Sequence, residues 1–375
     1  MRQLPMFTIR GEAGREVGCD YGRQCRDLIA GVLGNYKKFF DDPAAVLSWE
    51  EAKEIAKAFI PAIEAQAPLL LEELKGIAEG SGADFFDLLT LNARSEAMTL
   101  VPEKTQQNRD GCTTAMILPE ASRDGHTLLA QNWDTYSWQG DGAIILEILR
   151  EDGPDLMIVT EAGQLARYGM NQAGICLGVN SLHRTQNEKV FGMPSVFLRR
   201  RILERDRYVD ATNEIFAVPS MLPMYYVVGY AGGDAMGFEV LRDGALVLYP
   251  EGGRIVHSNH ILHPHHGYQV ESLGGTLYRN RRIEKHLAPL MGEIDREVLV
   301  AAMSDHFGYP FAVCRHGDVR KKERDRISTL ACIVMDLTER RLWACKDTPC
   351  ANPMVEFHWT RTEKLREWDN PTTWQ

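Results

Sequence analysis

Asp110-Gly-Cys-Thr-Thr-Ala-Met-Ile-Leu118, then a polar turn from Pro119 to Gly125, then His126-Thr-Leu-Leu-Ala-Gln-Asn-Trp-Asp134, is the stretch on which the reading of this chain turns. Two apolar runs of strand length flank a turn, which predicts a hairpin with strands over 112–118 and 126–131. Such a hairpin brings its second strand back to the level of Cys112, so Asn132 and Asp134 are expected near the sulfur. Gly111, the residue before the thiol, lacks a Cβ and tolerates a strained backbone. A thiolate is the strongest ordinary side-chain nucleophile at neutral pH. Held against the preceding carbonyl, it can attack Gly111, turn the amide into a thioester and release residues 1–111 when water enters. The new α-amino group on Cys112, with an intrinsic pKa of about 8, then suits a general base. A buried structural Cys at the start of a strand fits the same residues, and the partners of the thiol decide between the two.

Candidate partners follow in order along the chain. Gly169-Met-Asn171, Leu177-Gly-Val-Asn180 and Val256-His-Ser-Asn259-His260 each set an amide side chain at the end of an apolar stretch. Amide NH2 groups aimed at a reacting carbonyl make an oxyanion hole. The alternative for any one of them is a turn or cap.

With Ser328-Thr-Leu-Ala-Cys-Ile-Val-Met-Asp336 added to these segments, the sequence resembles, over essentially its whole length, the N-terminal nucleophile (Ntn) hydrolases of the isopenicillin N acyltransferase type. That family is the acyl-coenzyme A:6-aminopenicillanic acid acyltransferase-like one, related to bile-salt hydrolases. The resemblance implies an α+β chain folded as a four-layer αββα sandwich with a helical N-terminal segment. Autocleavage at Gly111-Cys112 would divide it into a small subunit, 1–111, still packed on a catalytic subunit, 112–375. Cys112 would be the nucleophile, Asp134 would hold the new amino terminus or assist processing, and Asn259 would stand in the oxyanion hole. Asn132, Asn180 and Ser328 are further oxyanion or substrate contacts to be tested; bile-salt hydrolases carry Arg where this chain has Asn132. The implied activity is that of a cysteine amidase or acyltransferase acting on small N-acyl compounds through an acyl-Cys112 thioester. Water, an amine or the thiol of coenzyme A could accept the acyl group. A catalytically silent binding protein on the same fold is the competing reading.

The flanks agree with two parts. From Val17 to about Ala93 apolar residues recur at helical steps, a capping box opens one helix at Ser48-Trp-Glu-Glu51, Pro61 and Pro68 punctuate, and Gly80-Ser-Gly82 closes another. Residues 100–110 read as an exposed linker. Beyond Cys112 strands are expected over 143–150, 155–161, 174–180, 224–231, 235–241, 245–250, 328–336 and 340–346, with helices over 194–217, 275–290 and 295–306.

At 375 residues, 44% apolar and 25% charged, the chain is of globular composition. Its formal charge of −10 argues against nucleic acid as a partner. No apolar run is long enough to span a membrane and the start lacks a signal-peptide core; a cytoplasmic enzyme is expected, with its own N-terminal fragment as heterodimer partner and further oligomerisation left open. The eight Cys form no Cys-x-x-Cys pair and fit reduced thiols. The His-rich tract 257–266 contains Pro264, and no His-Glu-x-x-His exists, so no metal and no cofactor are expected. Were coenzyme A a co-substrate, its phosphates would find Arg199–Arg201, Arg279–Arg282 or the basic stretch 315–326.

Overall fold

A computed structural model of the chain describes residues 3–99, 111–182, 191–217, 222–264 and 275–362. The predicted linker, 100–110, lies outside them. The first part comprises strand β1 (Met6–Ile9) and helices α1 (Arg15–Gln24), α2 (Arg26–Phe40), α3 (Trp49–Lys57), α4 (Ile60–Gln66), α5 (Pro68–Ser81) and α6 (Phe85–Thr99). The local signals act as expected. Ser48 Oγ accepts from the Glu51 amide while Glu51 returns a bond to the Ser48 N–H at 2.8 Å. Pro68 starts α5, and Gly82, at φ 76°, ends it in the left-handed region.

The second part supplies β2 (Thr113–Ile117), β3 (Leu128–Tyr136), β4 (Ala143–Ile148), β5 (Leu156–Glu161), β6 (Tyr168–Asn171), β7 (Ile175–Ser181), α7 (Ser195–Leu203), α8 (Tyr208–Ala217), β8 (Met224–Tyr230), β9 (Asp234–Leu241), β10 (Gly244–Leu248), β11 (Arg254–His257), α9 (Gly275–Leu287), α10 (Arg296–Met303), β12 (Ile327–Asp336), β13 (Arg341–Lys346) and β14 (Val355–Phe357). One sheet runs β1-β4-β5-β6-β7-β8-β9-β10 and the other β11-β2-β3-β12-β13-β14. All pairings are antiparallel except β1 with β4. The expected helix over 194–217 is two, broken at the polar run Glu204-Arg-Asp-Arg207. Strands β1, β11 and β14, at three or four residues each, are too short to show a period in sequence.

The layers are helix, sheet, sheet, helix. Strand β7 of the larger sheet faces β2 and β3 of the smaller; α7 packs on β6 and β7, while α9 and α10 cover β2, β11, β3 and β12. The central strands are therefore buried on both faces: every residue of β4 (AIILEI) and β5 (LMIVTE) is buried, Glu147 and Glu161 included, while the edge strand β10 stays partly exposed. In β2 the pleat still sorts side chains. Ala115 and Ile117 join the core under α9 and α10, and Met116 joins the core between the sheets.

The N-terminal part is integral to the larger sheet. β1 pairs along β4 from Met6↔Ile145 to Ile9↔Ile148. The helices clasp the turn between β5 and β6: Tyr21 Oη takes the Gly163 N–H at 2.8 Å and donates to Gln164 O at 3.2 Å, and Asn92 holds Gly163 O and the Leu165 N–H. Glu73 of α5 and Arg200 of α7 form a two-bond pair, both bonds 3.0 Å, with only 3% and 2% of the side chains exposed. Cutting one member strands a buried charge, so Arg200→Ala should cost about 3–5 kcal/mol in denaturant unfolding, and Arg200→Met with Glu73→Leu should recover most of it. A single substitution within 1 kcal/mol of wild type would show that the pair holds nothing together.

Candidate active site

The β2–β3 register sets Thr113 opposite Asn132, which places Gly111 at the level of Asp134. The Gly111 N–H lies 3.4 Å from Asp134 O, and Cys112 Sγ donates to the same oxygen at 3.7 Å. Cys112 is buried, at 3% exposure. Following the pleat, its side chain lies on the between-sheet side, where its sulfur is 3.5 Å from the hydroxyl of Tyr168 on β6. Tyr168 meets the Trp133 ring edge-on, and the Arg167 guanidinium lies over Trp133, 4.4 Å from the ring centroid. Burial, reinforced by the adjacent Cys112, pushes the Tyr168 hydroxyl well above its ordinary 10, so it remains a neutral donor.

On the helix-covered side lies Arg279 of α9. One nitrogen, Nη1, donates to the carbonyls of Gly111 and Cys112 (the latter at 2.8 Å) and to Thr113 Oγ1 at 2.8 Å. The other, Nη2, donates to Asn259 Oδ1 at 2.7 Å. Burial pulls the Arg279 guanidinium down to about 10, opposed by Asp134; it stays charged at neutral pH. Helix α9 is held there by its buried stripe: Thr276 Oγ1 accepts from the Asn259 N–H at 2.7 Å, and Asn280 donates to Val256 O at 2.8 Å.

Asp134 is fully buried. Its Oδ1 accepts from Thr329 Oγ1 at 2.7 Å, and that hydroxyl accepts from the Arg315 N–H at 2.9 Å. A Cβ on Gly111 would overlap the Arg315 guanidinium and stand 3.1 Å from Asp134 Oδ2. The absence of a side chain at 111 is thus what admits a cation and a carboxylate to the Gly111-Cys112 junction.

The remaining sequence candidates separate. Asn259 joins the junction through Arg279, while its own NH2 group bonds Ser181 O at 2.8 Å. Asn180 ties the sheets together, accepting from Thr114 Oγ1 at 2.8 Å and donating to His257 O at 3.1 Å. Asn132 turns to the opposite side of its strand from the sulfur and binds the carbonyls of Met303 and Val313, both at 2.9 Å. Ser328 Oγ bonds Ser137 Oγ at 2.9 Å. His257 stacks on Tyr225 and bonds Glu239 at 3.0 Å, all three buried; His265 and His266 lie outside the described residues.

Two basic runs differ from their expected exposure. Arg199 and Arg200 are buried, Arg201 pairs with Glu214, and Arg279 is spent on the junction, so neither 199–201 nor Arg279 offers a phosphate surface. Sequence reasoning missed Tyr168 and Thr329 as site residues, and set Arg279 and Arg315 in phosphate-binding runs and not beside Cys112. For Arg279 a signal existed: it lies on the 276, 279, 280, 283, 287 stripe that α9 buries.

The model of the acyl-coenzyme A:6-aminopenicillanic acid acyl-transferase family matches residues 121–351. The chain belongs to that family. It is 28% identical, over 78% of each chain, to the 40 kDa form of acyl-coenzyme A:6-aminopenicillanic-acid-acyltransferase of Emericella nidulans. Among solved structures it is similar to a mutant conjugated bile acid hydrolase of Clostridium perfringens (11% identity, 67% of this chain and 98% of that one, TM-score 0.43). It is also similar to penicillin V acylase of Agrobacterium tumefaciens (10%, 67% and 87%, TM-score 0.45). Membership in the acyl-transferase family makes the chain an enzyme of the acyl-transfer kind. The matched span starts just past Cys112 and contains Asp134, Asn259, Arg279, Arg315 and Thr329.

In this acyl-transferase family member the Thr329 hydroxyl is the joint between Asp134 and the Arg315 backbone. Thr329→Val leaves a buried carboxylate oxygen and an amide short of a bond each, so unfolding stability should fall by about 1–3 kcal/mol. Thr329→Ser, keeping the hydroxyl, should recover the larger part. An unchanged denaturation midpoint in the Val variant would refute the joint.

Proposed function

We propose that the chain is a precursor that cuts its own Gly111-Cys112 bond and then uses Cys112 to carry an acyl group from a small N-acyl compound as a thioester. One observation carries this reading: Arg279 Nη1 donates to the carbonyl oxygen of the residue directly before a buried Cys. As Sγ adds to the Gly111 carbonyl carbon, the electron pair of the C=O bond moves onto an oxygen that already faces a guanidinium, the arrangement that stabilises a tetrahedral oxyanion. Collapse breaks the C–N bond, and the thiol proton ends on the departing Cys112 nitrogen. Water then splits the thioester into a Gly111 carboxylate and a free Cys112 thiol.

The same groups serve the second reaction. The freed α-amine of Cys112, with an intrinsic pKa of about 8, takes the thiol proton. Asp134 is the carboxylate at this level of the hairpin and the natural partner of the new ammonium. Tyr168 orients the sulfur. The β1–β4 pairing and the Glu73–Arg200 pair support continued packing of 1–111 on 112–375 after the cut. The acceptor is water for a hydrolase and an amine or coenzyme A for a transferase. The relative whose name specifies acyl-coenzyme A supports transfer, with coenzyme A as co-substrate.

Two variants test this. Cys112→Ala should neither cut nor turn over, because one sulfur does both; cutting of that variant at 111–112 would mean an external protease. Arg279→Gln should slow the appearance of fragments in time-resolved mass spectra by about a hundredfold or more while circular dichroism stays native, the usual effect of losing such a donor. Cleavage within a few-fold of wild type would reduce Arg279 to packing.

A further inference from the structure

Beyond the acyl-transfer site lies a second cluster. His306 and His316 face each other with Nε2 atoms 3.1 Å apart, and His316 Nε2 is also 3.7 Å from Cys314 Sγ and 3.6 Å from Cys350 Sγ. All four ligand atoms fall within 4.8 Å of one another. The first three residues lie in the loop after α10 and the fourth in the turn after β13, 34 residues beyond His316. This spacing belongs to no local finger pattern, which is why the cysteines read as scattered thiols and no metal was expected.

A zinc ion with bonds of about 2.0–2.1 Å to nitrogen and about 2.3 Å to sulfur, in a tetrahedron, sets its ligand atoms roughly 3.3 Å (N to N) and roughly 3.6 Å (N to S) apart. The three separations from His316 Nε2 match those edges to within a few tenths of an ångström, and the other three fall within 4.8 Å. Hard cations such as calcium and magnesium want oxygen ligands and find none in this set. The backbone already holds the loop in shape: Cys314 N–H donates to Asp305 O and His316 N–H to Pro310 O, both at 3.0 Å.

We infer that His306, Cys314, His316 and Cys350 form a Cys2His2 site for a thiophilic divalent cation of the zinc class. Four protein ligands close the coordination sphere, so the metal is structural and does not present a water to substrate. It ties the loop after α10 to the turn after β13. Arg315 sits between two of the ligands, with its N–H on Thr329 and its guanidinium against Gly111. The metal therefore fixes, from both sides, the backbone that delivers this cation to the junction.

The test uses the full chain, dialysed with zinc and then against metal-free buffer. Elemental analysis should find about one zinc per chain. His306→Ala and Cys350→Ser alter exposed positions and should keep native circular dichroism while binding at least tenfold more weakly. Cobalt in place of zinc should show a thiolate charge-transfer band that falls to about half its intensity per bound cobalt in Cys350→Ser, which keeps only the Cys314 thiolate. A strong chelator should lower the melting temperature of the wild type and leave that of Cys350→Ser unmoved. The inference is overturned by substoichiometric zinc in the wild type, by equal zinc in the Cys350→Ser variant, or by a Cys314–Cys350 disulfide in the native metal-free protein. None of these readouts depends on self-cleavage.

Discussion

A buried guanidinium bonded to two successive main-chain carbonyls is the constraint from which the rest of the site follows. Taking a cation out of water is expensive unless its donors are all met. Arg279 meets that demand with Gly111 O, Cys112 O, Thr113 Oγ1 and Asn259 Oδ1, and with Asp134 as the nearby negative charge. Because an arginine fork is planar and rigid, satisfying it sets the orientation of the Gly111 carbonyl, the register of β2 and the position of α9 together. A lysine could neutralise the charge but not hold this set of acceptors.

The opposite side of β2 is set from a distance. Tyr168 reaches Cys112 because the β5–β6 turn is held by Tyr21 and Asn92, residues of the N-terminal helices. Strand β1 and the Glu73–Arg200 pair weld the same helices to the larger sheet. The part of the chain ahead of Cys112 thus helps to set the position of Tyr168 against the thiol. Under the proposed cleavage at Gly111-Cys112, these contacts are the physical reason that 1–111 should stay bound to 112–375.

Much of this was legible. The Cys112–Asp134 hairpin, the helical first part, the capping box at Ser48 and the end of α5 at Gly82 all rest on local chemistry that a sequence displays. Strands of three or four residues did not show, since a period needs length. Nor did the direction of Asn132. One strand residue separates it from Asp134, but its amide is taken by Met303 and Val313, carbonyls that only tertiary packing supplies. The arginine runs misled for a related reason: neighbouring arginines on a helix point to different sides, so Arg279 is buried and Arg281 exposed within one cluster. The His and Cys of the further cluster converge only once β13 has returned its turn to the loop after α10.

Incubating the purified protein with a small acyl-coenzyme A thioester or N-acyl amine, quenching with acid and reading intact and peptide masses tests the central claim most directly. The account predicts an acyl adduct on a chain that begins at residue 112, located on the sulfur of its terminal Cys112 and absent from the 1–111 chain. Turnover with no adduct on Cys112, or an adduct on another residue of an uncut chain, would contradict it.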